Sequence, residues 1–552
     1  MNLRQKLSRT IPVVVVLAVV AVAARAARSP VSTSSSTVAG PVSEDLTRAI
    51  VELDAEFERN WRREQITTAP PAADLQVLRR LSLALVGAHP SLEEIRAFEH
   101  DAQPDRLLQW ARRLLADKRF EDYFAQRLSR AFIGAEGGQF VIFRRDRFNQ
   151  WLREELHKNT PYDQIVRTMI SERGLWTDRP ATNFVTAAVN EGDVDENKLT
   201  GKNVRAFLGQ RIDCAQCHDH PFEHWKQREF EGLAAFYGQV QPGVFGGIED
   251  KSKKFDGTPI EYEVEDRKTL VKHTVAEGVP FHSEWLPPEG TRRTRLAAWI
   301  THPENRRFER AIVNRVWGLL FGQPWHAPVD DLPDPPSPEN RDVLDLLGHD
   351  FREHGCDLKR LILIIAASRP FRLDSASAAA GGALDGPPHD DAARAQWAVF
   401  PLVRLRPEQV IGSIVQSTSV QTADQNSHVL FRTVRLLQEG QFVKEYGDPG
   451  ENELEERGET IPQRLLLMNG KLACDAAESG PFSALARIAA IAPTDEACVE
   501  TTFLVCLTRR PSAVELAHFA PQLAGKSGPE RRQVVEDLFW TLFNSTEFSW
   551  NH

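Results

Sequence analysis

The sequence predicts a mainly α protein, in which two helical domains are joined by a small β insert and preceded by an N-terminal signal or anchor segment. Apolar residues recur at intervals of three and four over most of the chain, as on one face of a helix. Residues 238–290 are instead rich in Gly, Pro and charge, and contain short alternating segments typical of strands. Residues 1–27 have the pattern of an export signal.

The N-terminal pattern predicts that the chain is exported. Three basic residues precede an apolar run at 11–24, and Ala24-Arg25-Ala26 resembles a cleavage site. The run is shorter than the roughly 18 residues expected of a membrane span. Residues 1–27 are therefore predicted to be a signal peptide or a retained anchor. Either places the body in the periplasm or cell envelope, with membrane contact only through this segment.

The remaining chain is predicted to divide into four parts. Residues 28–42 are a flexible Ser- and Thr-rich linker, 43–240 the first helical domain, 241–290 the β insert and 291–552 the second helical domain. Asp74 is predicted to cap the helix after it, and Ser91 with Glu94 forms a capping box. Predicted helices include 75–86, 105–116, 120–132, 146–157, 162–171, 201–212, 227–237, 295–300, 308–321, 342–353, 357–367, 501–507, 511–523 and 534–543.

Composition narrows the functional classes. The net charge of −10 is spread along 552 residues without a basic tract, so nucleic acid is not an expected partner. Six cysteines are too few for a disulfide framework in a chain of this size. Cys498 and Cys506 flank an apolar run, and either pair or remain buried thiols.

One motif carries recognisable chemistry: Cys214-Ala215-Gln216-Cys217-His218. In a C-x-x-C-H sequence the two thiols form thioethers to the vinyl groups of haem, and the adjacent histidine becomes an axial ligand of the iron. Cys214, Cys217 and His218 are therefore the predicted cofactor-binding residues, with haem c as the cofactor. The exported context fits, because haem c is attached outside the cytoplasm.

The residues around the motif support a second interpretation. His218, His220 and His224 lie within a few positions of the two thiols, and a subset of these groups suits tetrahedral Zn²⁺. A Cys214–Cys217 disulfide or thiol pair beside surface histidines is the third interpretation. Met169, Met468 and His224 are the candidates for a distal haem ligand, but a methionine is more often a core residue.

Two other groups are weaker candidates. Asn314-Arg315-Val316-Trp317 is interpreted as part of an amphipathic helix with Trp317 buried. Asp330-Asp331 is a loop carboxylate pair, for which a turn-capping role is favoured over cation binding or acid/base catalysis.

Longer segments resemble a known domain pair. The stretch FLGQRIDCAQCHDHPFEHWKQREFEGLAAFYGQV at 207–240 resembles the planctomycete cytochrome-associated (PSCyt-type) domain of unknown function. The stretch RLAAWITHPENRRFERAIVNRVWGLLFGQPWHAPVDDL at 295–332 resembles its usual partner, the planctomycete PSD-type domain. The resemblance covers nearly the whole chain from about residue 43. It implies the cytochrome-like role of Cys214, Cys217 and His218 and leaves the activity open.

Three functional hypotheses follow. The first is haem binding and electron transfer, with a redox partner or an envelope component as partner. The second is an envelope scaffold stabilised by zinc or a disulfide. The third is a metal-dependent hydrolase that uses the Cys/His/Asp cluster with Asp330 or Asp331. The sequence does not decide whether the protein is an enzyme.

Overall fold

The computed structural model describes most of the chain after the N-terminal segment. The described residues are 42–134, 142–190, 193–243, 246–265, 269–375, 391–424, 440–447, 450, 454, 460–470 and 483–552. The predicted signal or anchor segment, nearly all of the predicted linker and Cys474 lie outside them.

Helices make up most of the region before the insert. They are α1 (Glu44–Arg63), α2 (Asp74–Val86), α3 (Leu92–His100), α4 (Arg106–Leu115), α5 (Lys118–Ile133), α6 (Ile142–Lys158), α7 (Tyr162–Ser171), α8 (Asn183–Thr186), α9 (Glu196–Leu208) and α10 (Gln227–Ala234). Short 3-10 turns occur at Pro180–Thr182, Asp213–Gln216 and Ala235–Tyr237, and β1 (Val189–Asn190) pairs with β2 (Asp193–Val194). The predicted capping box is confirmed, since Ser91 Oγ accepts from Glu94 N and Glu94 accepts from Ser91 N.

The predicted β insert contains two small antiparallel ladders. β3 (Val240–Pro242) pairs with β4 (Ile248–Asp250), and β5 (Glu263–Glu265) pairs with β6 (Lys272–Thr274). A 3-10 turn at Ser283–Trp285 then leads to the second helical block.

The second block is again helical. Its helices are α11 (Arg292–Ile300), α12 (Arg306–Phe321), α13 (Val343–Glu353), α14 (Leu358–Ala367), α15 (Arg369–Arg372), α16 (Asp391–Ala395), α17 (Pro407–Thr418), α18 (Ile461–Asn469), α19 (Ala484–Ile491), α20 (Asp495–Leu507), α21 (Ala513–Leu523), α22 (Gly528–Phe543) and α23 (Thr546–Ser549). The other elements are a 3-10 turn at Pro338–Asn340 and the antiparallel pair β7 (Val403–Arg404) and β8 (Trp550–Asn551). The prediction of a mainly α fold with few strands is therefore confirmed.

Two local predictions were wrong. Asp74 is the first residue inside α2, and its carboxylate accepts from Arg106 Nε at 3.0 Å instead of capping the helix. The helix predicted over 201–212 is α9, which begins earlier, after the N-cap Asp195, and ends earlier, at Leu208. Gly209 ends the helix because its backbone has a left-handed φ of 63°, which favours glycine.

Buried residues on both sides of the insert share one core. Phe132 and Phe207 precede the insert, Trp317 and Phe321 follow it, and all four belong to the same apolar cluster. A second cluster is built from residues 405–548 together with Leu83 of α2. The described residues from 42 onward form one compact unit.

Two buried arginines of α2 connect it to the end of the chain. Arg79 donates to the carbonyl oxygens of Leu507 and Trp550 at 3.1 and 3.0 Å, and Arg80 donates to that of His552 at 2.8 Å. Burial lowers the pKa of Arg79 to about 10 and that of Arg80 to about 9.

Among the described helices, none is long and apolar enough to cross a bilayer.

Candidate functional site around the C-x-x-C-H motif

The two motif cysteines lie on a short turn that follows α9. The 3-10 turn Asp213–Gln216 closes when Cys217 N donates to the carbonyl oxygen of Cys214 at 3.2 Å. Ala215 is fully buried and fixes the turn against the core, while Cys214 is exposed and Cys217 half-buried. Neither is part of a disulfide. The predicted cofactor-binding cysteines therefore share one turn at the protein surface.

His218 has one ring nitrogen fixed by the backbone. Its Nδ1 lies 2.7 Å from the carbonyl oxygen of Asp219. A carbonyl oxygen only accepts, so Nδ1 carries the proton and the neutral ring keeps a lone pair on Nε2. The side chain is exposed, so Nε2 can act as a ligand to a metal ion.

His220 has the opposite arrangement. Its Nδ1 accepts from the backbone N–H groups of Phe222 and Glu223, at 3.4 and 3.0 Å. The proton of the neutral ring therefore lies on Nε2. His220 N also donates to the carbonyl oxygen of Trp225 at 2.8 Å, so this residue closes the 220–225 loop.

The rest of the loop is held from two sides. His224 stacks on the buried Trp225 with ring centroids 5.3 Å apart, and its Nδ1 lies 3.8 Å from Asp334 Oδ2. Asp219 accepts from the backbone N–H of Gln227 at 3.0 Å and pairs with Lys226, and these contacts lower the pKa of its carboxyl. Phe222, at the tip of the loop, is 91% exposed.

Residues 330–334 pack against the segment that leads into the motif; we call this contact the seam. Arg211 donates to Asp330 Oδ1 through Nε at 2.9 Å, and its backbone N donates to Asp331 Oδ1 at 3.2 Å. Leu332 N donates to the carbonyl oxygen of Gly209 at 2.7 Å. The segment before Cys214 is thus fixed through both backbone and side chains.

Comparison with protein-family models identifies both halves of the chain. Residues 52–242 match PSCyt2, a protein of unknown function (DUF1549), and residues 292–523 match PSD1, a protein of unknown function (DUF1553). The chain is a PSCyt2–PSD1 protein. Comparisons with curated proteins and with solved structures found no match.

In this PSCyt2–PSD1 protein the seam joins the two matched regions. Arg211 and the motif lie in PSCyt2, whereas Asp330 to Asp334 lie in PSD1. The two segments whose sequences carry the family resemblance are therefore in direct contact.

Asn314 shapes the PSD1 side of the seam. This residue of α12 is fully buried, and its amide donates to the carbonyl oxygens of His326 and Val329 at 2.9 and 3.2 Å. His326 N donates back to Asn314 Oδ1 at 2.9 Å. The sequence pattern predicted only that Asn314 lies in an amphipathic helix, and did not predict these hydrogen bonds. A polar amide at an apolar-face position was the signal that could have identified its role, because buried amides need partners.

Asp330 has a different role from those predicted for the carboxylate pair. Only 6% exposed, it lies between Arg211 and Arg205, whose Nε is 3.6 Å away. Its charge is matched by two guanidinium groups, so it neither caps a turn nor serves as a free base.

The other residues that the sequence suggested as ligands or disulfide partners do not come together in a metal or disulfide site among the described residues. Met169 is fully buried in the main core, which excludes it as a distal ligand at the exposed turn. Among the described residues, no group of three or more His, Cys, Asp or Glu side chains is placed to hold a metal ion. Cys498 and Cys506 are buried free thiols on α20, and a separation of eight residues on a helix spans about 12 Å, too far for a disulfide.

Proposed function

We propose that this PSCyt2–PSD1 protein attaches haem c at Cys214 and Cys217, with His218 as axial ligand, and takes part in electron transfer. Support comes from the placement of the two cysteines, neither of them in a disulfide, on one surface turn directly before His218. Bound haem would supply one-electron redox chemistry.

The hydrogen bond of His218 is the observation that carries the proposal. Histidines that ligate metals commonly donate the N–H of the other ring nitrogen to a carbonyl or carboxylate, which fixes the ring and its tautomer. The contact between His218 Nδ1 and the Asp219 carbonyl oxygen is of this kind. It leaves Nε2 as the donor for iron.

His220 favours haem over a zinc site that uses several histidines. Its Nδ1 is occupied by two backbone N–H groups and its Nε2 then carries a proton, so neither nitrogen offers a lone pair in this conformation. A tetrahedral site built on His218 and His220 together would require the 220–225 loop to open. The hydrolase hypothesis is weaker still, because Asp330 is held by two arginines.

The deciding experiment is expression of the full chain in a host that has haem c maturation machinery. We expect a haem-staining band on a denaturing gel and one haem per chain in the absorption spectrum. Cys217→Ala should lose the covalent band. Cys356→Ala, a half-buried thiol outside the motif, is the matched control and should keep it. A colourless protein with one zinc per chain would overturn the proposal and support the zinc-stabilised scaffold.

We also propose that the chain is exported to the periplasm or envelope, because haem c attachment takes place there and residues 1–27 have the pattern of a signal. A fusion of residues 1–42 to a reporter that is active only after export should be active. A fusion in which Leu17 and Val20 are replaced by Arg should be inactive. Equal activity of the two fusions would contradict export through this segment.

A further inference from the structure

A cavity of about 280 Å³ lies where the β7–β8 pair meets the N-terminus of α17. We call it the Arg406 pocket. Its polar lining residues include Arg404, Arg406, Gln409, Tyr446, Gln463 and Asn551. It is built from different residues than the C-x-x-C-H site, and the proposed haem chemistry does not use it.

Among the described residues, Arg406 is a buried charge without a carboxylate partner. The residue is only 7% exposed, and its guanidinium donates to Tyr123 Oη at 2.7 Å. Its Nε makes no hydrogen bond, and none of the described carboxylates forms an ion pair with it. Burying an uncompensated charge is costly, so a buried guanidinium of this kind favours an anionic partner.

The surroundings of Arg406 add positive potential. Arg404 lines the same pocket, where it donates to Gln463 Oε1 and Tyr446 Oη at 2.6 Å each. The described lining contains neither Asp nor Glu. The N-terminus of α17, a helix of 12 residues, also forms part of the wall and attracts negative charge.

Other parts of the wall are apolar. Leu319, Leu320, Leu405 and Trp550 also line the cavity. The volume is close to the lower end of the range for ligand pockets, roughly 300–1,000 Å³. It therefore suits a molecule with about one ring rather than a polymer.

We propose that the Arg406 pocket binds a small organic anion, whose negative group pairs with Arg406 and whose apolar body lies against the leucines and Trp550. This is a binding site separate from the C-x-x-C-H motif. It persists whether or not the chain carries haem.

Benzoate is a suitable probe, and benzamide is its neutral counterpart of the same shape. Calorimetric titration of the full chain should give saturable one-to-one binding of benzoate. Benzamide should bind at least about tenfold more weakly, because loss of a charge-assisted pair costs about 1.4 kcal/mol or more. Equal affinities, or no benzoate binding at tens of millimolar, would overturn the proposal.

Variants locate the binding. Arg406→Gln should abolish benzoate binding. Gln463→Glu leaves Arg406 in place, puts a carboxylate beside Arg404, and should weaken benzoate about tenfold or more, so it keeps the test decisive if Arg406→Gln does not fold. Arg510→Gln removes an arginine that is about half exposed and lies outside the pocket lining, and it should leave benzoate affinity unchanged. Unchanged affinity in Gln463→Glu would place the benzoate elsewhere and contradict the assignment.

Discussion

Two histidines two positions apart hold their protons on opposite ring nitrogens. His218 donates from Nδ1 to a carbonyl oxygen, whereas His220 accepts at Nδ1 from two backbone N–H groups. The sequence places both residues in the motif region and makes both candidates for a zinc site, although only His218 stands at the haem-ligand position. The backbone conformation of each residue separates them, because it decides which nitrogen meets a donor and which an acceptor.

Replacing Asp330 by Asn should weaken the seam. The substitution removes the carboxylate charge that Arg205 and Arg211 share, although Arg205 also pairs with Asp213 at 2.7 Å. Both arginine side chains are about one-third exposed, so we expect a loss of about 1–2 kcal/mol rather than the larger cost of a fully buried pair. Urea unfolding measures this loss.

The control for this substitution is Asp331→Asn. Asp331 is exposed and accepts one backbone hydrogen bond from Arg211. It should lose clearly less stability. If the two variants unfold at the same urea concentration, the ion pairs of Asp330 do not stabilise the seam.

The titration of Glu309 should lower the free energy of unfolding as the pH rises from about 4.5 to 7. Burial raises the pKa of Glu309 from 4.5 to about 7, even though Arg352 lies 2.8 Å away. Between these pH values the folded protein keeps a proton that the unfolded chain has released, so stability decreases from pH 4.5 to 7. The decrease is about 3 kcal/mol at most.

Glu309→Gln tests this dependence, because the amide does not titrate. Unfolding free energies measured at several pH values should show that the wild type loses stability over this interval relative to the variant. Glu353→Gln on α13, where the side chain is exposed, should follow the wild type. Parallel pH profiles for the wild type and Glu309→Gln would rule out the assignment.

At the scale of elements, the local sequence pattern predicted most of the helices. It did not predict the helix ends and side-chain partners that depend on tertiary contacts. The helix over 162–171 is α7 with the same bounds, and the capping box of α3 is present. The α9 boundary was misplaced because Gln210 to Ile212 continue a helix-like pattern, while the glycine before them adopts a left-handed backbone. The partners of Asp330 were unpredictable, since no local period links residues 119 positions apart.

Gly209→Ala should be more harmful than the same change at another left-handed glycine. A Cβ at Gly209 would lie 2.6 Å from Leu332 Cδ1 and 3.2 Å from Ala311 Cβ. Backbone strain of about 1 kcal/mol and overpacking of about 1–3 kcal/mol should then add.

Gly257→Ala is the matched control. Gly257 also has a positive φ, and no atom lies within 4 Å of its added Cβ. Thermal unfolding of the two variants should show a larger decrease for Gly209→Ala. Similar decreases would mean that the seam accommodates the methyl group.

At the scale of the whole molecule, the helical class and the PSCyt2–PSD1 pair could be predicted, but the shared core could not. Periodicity shows which face of each helix is apolar, and it does not show which helix covers that face. Phe207 and Trp317 belong to one cluster although the β insert separates them in sequence.

A fragment of residues 43–290 should therefore fail to fold on its own. It would expose the apolar face of α9 that α12 covers in the full chain, so it should lack a cooperative unfolding transition and a native near-ultraviolet circular dichroism signal. The chain 43–552 is the control and should show both. A fragment that unfolds cooperatively would demonstrate that PSCyt2 has an independent core.

Because the two sides of the seam lie far apart in sequence, the segment before the motif is synthesised well before the residues that contact it. Arg211 emerges 119 residues before Asp330, during synthesis as well as during any N-terminus-first passage across a membrane. Until residue 292, where PSD1 begins, Cys214, Cys217 and His218 belong to a segment without any PSD1 partner. If haem is attached as proposed, the attachment enzyme would meet the motif in that unrestrained state, and the later contact between Asp330 and Arg211 would fix the segment before the cysteines.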